Sequence, residues 1–132
     1  MSMVPVRPIL GTPVLIVDAI PTWIWNLPRE DAPYMGKVRC LPCCICEAFG
    51  MAQTSHTEAH HPIHGRFSNE KAPDGAAIPL CMCHHQGLRF DRDRSKLAIH
   101  QGKETWDAEY GRDYEHVLPT RIAILGDHDI DI

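Results

Sequence analysis

The sequence predicts a small α+β domain stabilised by a bound zinc ion, and three observations lead to that prediction. The chain has 132 residues, which is enough for one domain with a modest core. Its 11 prolines and 7% aromatic residues indicate irregular, loop-rich packing. Cysteines and histidines recur in pairs at the spacings that zinc ligands use in small domains.

The N-terminal segment, residues 1–38, is apolar and punctuated by prolines, and we expect it to pack on the core as an arm. Within it, Val14–Ile20 is typical of a strand, and Thr22–Asn26 of a short extended piece with two tryptophans on one face. Those tryptophans would also suit a surface that docks on a partner. Residues 39–132 are expected to form the zinc domain itself.

The stretch RCLPCCICEAFG contains two overlapping Cys-x-x-Cys steps, one from Cys40 to Cys43 and one from Cys43 to Cys46. Two thiolates in one tight loop can bind the same zinc ion at about 2.3 Å. We favour Cys43 and Cys46 because Gly50 can turn the chain behind them, with Cys40 as the alternative to Cys43. Cys40 and Cys44 are then spare, most simply as buried small side chains.

A second ligand pair follows in PLCMCHHQG, where Cys81 and His84 have zinc spacing at the start of a helix. The sequence therefore predicts that Cys43, Cys46, Cys81 and His84 close a tetrahedral site, which makes the zinc structural.

The closed zinc site leaves several histidines unused, among them the adjacent pair His60 and His61 and also His85. Neighbouring residues in a strand point to opposite faces, so this pair can offer one ring to a metal and the other to a substrate. His64 and His100 are secondary candidates, because a lone histidine is more often an ordinary surface or core residue.

The other elements follow from local pattern. Residues 65–75 contain two glycines and a proline, which suits a long hairpin loop between the histidine strand and a short strand at 77–80. The run 81–88 begins a helix. We expect a strand at 97–100, an amphipathic helix in KETWDAEYG, and a last apolar strand followed by an acidic tail in VLPTRIAILGDHDIDI.

At these residues the sequence resembles the HNH (ββα-metal) endonuclease superfamily. Within that superfamily it more closely resembles the phage recombination-enhancement, RecA-dependent nuclease family. The resemblance covers roughly Arg39 to His116 and is carried by CCICEAFG, EAHHPIHGR, PDGAAIPLCMCHHQG and SKLAIHQGKETWDAEYG.

That resemblance implies a ββα-metal fold and metal-dependent hydrolysis of DNA by a phage or prophage protein. His60 and His85 would bind the catalytic Mg²⁺ or Mn²⁺, and His61 would deprotonate the attacking water. Asp74 would orient His61 or the hairpin, although the family pattern has asparagine there. The family's longer basic N-terminal region is replaced here by the apolar arm.

The charge of the chain bears on its partners. The formal net charge is -4, and residues 96–132, with four basic and eight acidic side chains, account for the whole excess. Neutralising phosphates supplies much of the affinity of proteins for DNA, and this chain brings little positive charge. If DNA is the substrate, we expect another protein to deliver the chain to it, and the resemblance implies a RecA-type filament.

The compartment follows from the cysteines and from what the sequence lacks. No apolar run approaches the roughly 20 residues that span a bilayer, and the N-terminus does not have the pattern of a secretory signal. We therefore expect a cytoplasmic protein, in a bacterial host cell, whose thiols bind metal and do not form disulfides.

Two other function classes fit some of these residues. A zinc-binding adaptor that docks on a recombinase or on nucleic acid, without cleaving it, would need only the structural site. A thiol redox module is disfavoured, because no cysteine pair stands beside a thioredoxin-like pattern.

Overall fold

The computed structural model describes residues 19–66, 70–87 and 95–126. In this part of the chain, six helices surround one two-stranded sheet, so the fold class is α+β. The elements in chain order are α1 (Thr22–Trp25), α2 (Ala32–Arg39), α3 (Cys44–Ala48), β1 (Thr57–His60), β2 (Ile78–Cys81), α4 (Met82–His85), α5 (Lys103–Tyr110) and α6 (Val117–Leu125), with 3₁₀ turns at Asp74–Ala76, Ile99–Gln101 and Asp113–His116.

The two strands form an antiparallel hairpin in which Thr57 pairs with Cys81 and His60 with Ile78. All four residues of β2 are buried, and α4 begins directly after the last of them. The predicted strand around residues 77–80 and the helix start that follows are therefore confirmed. This arrangement brings the end of β1 next to α4, so the histidines of both elements lie close together.

The main core lies between the sheet, α3 and α5. The large, fully buried side chains are apolar, apart from two histidines, a lysine and an aspartate, and Trp106 on α5 is the bulkiest of them. Ile20 and Ile24 belong to the same cluster, so these two residues of the N-terminal segment pack on the core.

Asp31, the residue before α2, holds the turn that carries Asp74, because its backbone N–H donates to the Asp74 carboxylate at 2.9 Å. The Asp31 side chain caps α2 by accepting from the Tyr34 amide at 3.2 Å, and a proline follows in the first turn. Gly75 lies so close to Pro28 that an added Cβ would meet the proline ring at 2.8 Å. Only glycine fits this contact without a shift of the backbone.

The extended piece expected at Thr22–Asn26 is wrong, because Thr22–Trp25 form the single-turn helix α1. Pro21 stands immediately before the turn with φ of -59°, which suits a helix start. Ile24 is buried, whereas the alternating tryptophans that suggested a strand are only partly buried. An alternation of side chains over only five residues is too short to distinguish a strand from a helix.

Two more strand predictions are wrong. Residues 97–100 lead into the 3₁₀ turn Ile99–Gln101, and the apolar run after His116 forms α6. In α6 the buried side chains are Val117 and Thr120, three residues apart, which is helical spacing. Pro119 sits in the first turn, where its missing N–H costs no hydrogen bond.

The helix expected in KETWDAEYG is confirmed as α5, which ends before Gly111 at φ of 94°. The proposed strand Val14–Ile20, except for its last two residues, and the acidic tail after residue 126 lie outside the described residues. Among the described helices, none combines the length and apolarity needed to cross a bilayer.

Candidate metal centres

Three thiols and one imidazole meet in the core beside β2. Cys43 and Cys46 come from the start of α3, Cys81 from the end of β2, and His84 from α4. Nδ1 of His84 lies 3.6 Å from the sulphurs of Cys43 and Cys46 and 3.4 Å from that of Cys81. All four side chains are buried, and none of the cysteines is in a disulfide.

These distances match the edges of a zinc tetrahedron. Ligands at about 2.0–2.3 Å from a tetrahedral centre are roughly 3.5–3.8 Å apart. The separation of the Cys46 and Cys81 sulphurs, 3.9 Å, is far too long for a disulfide and close to such an edge. The four residues predicted from spacing therefore form a buried site that is compatible with structural zinc.

The thiol pKa values indicate which of the three cysteines carry protons when no ion is bound. The hydrogen bond from Cys43 lowers the pKa of Cys81 to about 3, so the thiolate character concentrates on that sulphur. Burial raises the pKa of Cys46 to about 11, and the bond to Cys81 together with burial raises that of Cys43. Zinc binding would therefore release protons from the other two thiols.

Two side chains of helix α5 hold the histidine of this site in place. The Nε2–H of His84 donates to the Tyr110 hydroxyl at 3.2 Å, which leaves Nδ1 facing the sulphurs. The indole N–H of Trp106 donates to the backbone oxygen of His84 at 3.1 Å. A partner on the second ring nitrogen is the usual way in which a ligating histidine is oriented.

The spare cysteines differ from what we expected. Cys40 is exposed at the end of α2 and is not in the cluster, so the structure places Cys43 there and not the alternative, Cys40. Cys44 is only partly buried, and burial raises its pKa. Neither is the fully buried small side chain that the sequence suggested.

A second cluster consists of three histidines whose ring nitrogens lie within 4.8 Å of one another: His60, His85 and His100. The first two are buried and His100 is exposed. Nε2 of His85 lies 3.2 Å from Nε2 of His100. His100, a secondary candidate from the sequence, thus joins the two predicted ligands, because the turn after Ala98 carries it to the end of α4.

Two carboxylates stand behind this cluster. The Nε2–H of His60 donates to Asp113 at 2.9 Å, and the Nδ1–H of His85 donates to Glu58 at 2.7 Å. The nitrogens left for a metal are therefore Nδ1 of His60 and Nε2 of His85. Sequence reasoning missed both carboxylates. Glu58 could have been found, because it lies two residues before His60 and so shares its face of β1.

His61 follows β1 and is paired with the predicted Asp74, whose Oδ1 accepts from its Nε2–H at 2.8 Å. The other oxygen of Asp74 accepts from the backbone N–H of Asp31 at 2.9 Å. That bond and the one from His61 lower the pKa of Asp74. Burial lowers the pKa of His61 despite its carboxylate partner, so the ring is neutral near pH 7 with Nδ1 unprotonated.

The secondary candidate His64 has both ring nitrogens engaged with the backbone. Its Nδ1 accepts from the N–H of Asp113 at 2.8 Å, and its Nε2–H donates to the Lys103 carbonyl at 3.1 Å. Neither nitrogen is left for a metal, so His64 ties the loop after β1 to the segment around α5.

The buried His60 ring should make stability depend on pH. Burial lowers its pKa from 6.5 to about 4. Between these values the unfolded chain binds the proton more readily, so stability falls as pH falls through that range. From about pH 7 to pH 5 we expect a loss on the order of 2 kcal/mol in the free energy of unfolding.

Urea denaturation of the zinc-loaded protein at the two pH values measures this loss, with His60→Asn as the control. Zinc release at low pH would affect both proteins, whereas the His60 contribution is absent from the variant. Equal pH dependence in the two would show that His60 is not the group responsible.

Comparison of the chain with family models, with curated proteins and with solved structures finds no match.

Proposed function

We propose that this chain is a metal-dependent DNA endonuclease of the HNH (ββα-metal) type, of phage or prophage origin. The observation that carries the proposal is the three-histidine cluster together with the His61–Asp74 pair, since His61 follows His60 in the chain and interacts electrostatically with His85. Three histidines leave coordination positions open, as catalytic sites do, whereas the cluster of three cysteines and one histidine is closed. The order of hairpin and helix, β1–β2–α4, agrees with that architecture.

The histidine cluster suits a divalent transition metal. Imidazole nitrogens favour ions such as Mn²⁺ or Zn²⁺, whereas Mg²⁺ prefers oxygen ligands. Of the two catalytic ions expected from the sequence, Mn²⁺ therefore fits these residues better than Mg²⁺. His60 and His85 are held by carboxylates, and His100 from the following turn would be the third ligand.

The chemistry we propose is hydrolysis of a phosphodiester. A divalent ion, when bound, would stabilise negative charge on the phosphate and on the leaving oxygen. His61 would take the proton of the attacking water at Nδ1, because its Nε2–H is donated to Asp74. Asp74 would keep the ring in that tautomer and orientation, and would stabilise the imidazolium that forms.

Two cations favour a phosphate substrate at this site. Lys71 is exposed and acts electrostatically on both His61 and Asp74. Arg66 is half-buried and acts on His100. They therefore lie near both parts of the proposed centre, where their positive charge would favour a phosphate group.

Two cations are few for holding DNA, and the chain is acidic as a whole, with a net charge of -4. We therefore expect the purified protein to cut bare duplex poorly at physiological salt and a RecA-type filament to increase cutting greatly. Holding the protein on the DNA raises its effective concentration there, and this by itself can increase binding to the cleavage site roughly 10²-fold or more.

Nicking of a labelled duplex with and without filament tests this, with His61→Ala as the background control. Efficient cutting of bare duplex that the filament leaves unchanged would contradict recruitment, while the endonuclease proposal itself would stand.

The alternative function is a zinc-binding adaptor that docks on a recombinase or nucleic acid. The observation that favours it is the outer face of α6, where Leu118 and Ile122 are 39% and 40% exposed and lie one turn apart. Full binding to a filament with no cleavage under any divalent metal would favour the adaptor.

A further inference from the structure

Asp113 is a fully buried carboxylate, with 0% exposure, at the start of the 3₁₀ turn Asp113–His116, and it faces the loop after β1. Its Oδ2 accepts from the Nε2–H of His60 at 2.9 Å and from the Ile63 amide at 2.7 Å, and its Oδ1 accepts from the His64 amide at 3.2 Å. A buried charge is costly unless such donors surround it.

The surrounding bonds leave the carboxylate little freedom. The N–H of Asp113 itself donates to Nδ1 of His64, and His64 is anchored in turn to the Lys103 carbonyl. These bonds together hold the carboxylate in one place next to the histidine cluster.

We propose that Asp113 is the positioning residue that fixes the His60 ring with its proton on Nε2, so that Nδ1 is the atom presented to a divalent cation. The inference rests on the proposed metal role of the histidine cluster. It adds that His60 and His85 bind through different ring nitrogens, because His85 is held at Nδ1 and His60 at Nε2.

Asp113 has no substitute for this task. Glu58, which orients His85, is partly exposed and also accepts from Gln86 at 3.0 Å, so water can take over part of its role. The His60 ring is only 1% exposed, and water cannot reach its Nε2 to replace a lost partner. The bond from His60 to Asp113 should therefore be the most important outer contact of the cluster.

The experiment compares Asp113→Asn with wild type and with Asp107→Asn, a carboxylate on α5 that pairs with Arg112 outside both clusters. Each protein is loaded with zinc at the cysteine site and titrated with Mn²⁺ in a calorimeter. Losing the group that hydrogen-bonds to a metal-binding histidine typically weakens metal binding roughly 10- to 100-fold. We expect that loss in Asp113→Asn alone, with one zinc retained per chain.

A second measurement uses wild type and so does not depend on how the variant folds. Nitrogen-15 correlation spectra of the histidine rings should show His60 protonated at Nε2 before metal is added, with Zn²⁺ as a diamagnetic probe perturbing its Nδ1. A proton on Nδ1, or binding through Nε2, would overturn the proposal.

The two proposals fail in different ways. Equal Mn²⁺ affinity in Asp113→Asn and wild type would overturn the role of Asp113 and leave the proposed metal centre intact. No Mn²⁺ bound at the histidine cluster of wild type would overturn both.

Discussion

Replacing Cys46 with serine is expected to unfold most of the domain. The cluster of three cysteines and one histidine joins α3, β2 and α4 at the centre of the core, so losing one thiolate releases all three elements. Structural zinc contributes on the order of 10 kcal/mol or more to small domains. That is comparable with the entire stability of a typical domain, roughly 5–15 kcal/mol.

Metal analysis together with thermal melting tests this expectation, and Cys40→Ser is the matched control. Cys40 is exposed and outside the cluster, so its replacement should change neither zinc content nor melting temperature. A Cys46→Ser protein with full zinc content and an unchanged melting temperature would show that the site does not stabilise the fold.

Replacing His61 with alanine is expected to abolish cleavage while zinc content and fold are retained. Its ring is partly exposed after the end of β1 and contacts the Asp74 carboxylate, so little core packing is lost. Removing a general base typically costs roughly 10²- to 10⁴-fold in rate. Replacing His60 instead should weaken metal binding, so that added metal restores part of the rate.

Mn²⁺ titration of cleavage by the His60→Ala and His61→Ala variants separates these roles. The control is His56→Ala, since His56 is exposed and contacts the oxygen of Glu58 that does not hold His85. Rescue of His61→Ala by metal, with none for His60→Ala, would mean that the two roles are exchanged. Normal cleavage by both would remove the endonuclease proposal and leave the adaptor in its place.

The ligand spacing in the sequence predicted the cysteine cluster well for a physical reason. Each pair, Cys43 with Cys46 and Cys81 with His84, is separated by only two residues, so one tight turn brings its atoms together. Strand β2 ends at Cys81, so it brings the second pair to the same place as the first. Local geometry therefore determines most of that site.

The histidine cluster was predicted only in part, because its remaining members come from distant parts of the chain. Asp113 lies 53 residues beyond His60, and no spacing links the two. His100 reaches the cluster through a 3₁₀ turn that the apolar residues before it had suggested was a strand. Short apolar runs such as that of α6 are compatible with a helix or a strand, and tertiary packing decides between the two.

The most direct test of the two metal centres is the anomalous scattering of a crystal of the zinc-loaded protein soaked with Mn²⁺. We expect two metal positions per chain, with zinc among Cys43, Cys46, Cys81 and His84. The manganese should lie within coordination distance of Nδ1 of His60 and Nε2 of both His85 and His100. One metal position only, or a second ion that none of these three rings contacts, would contradict it.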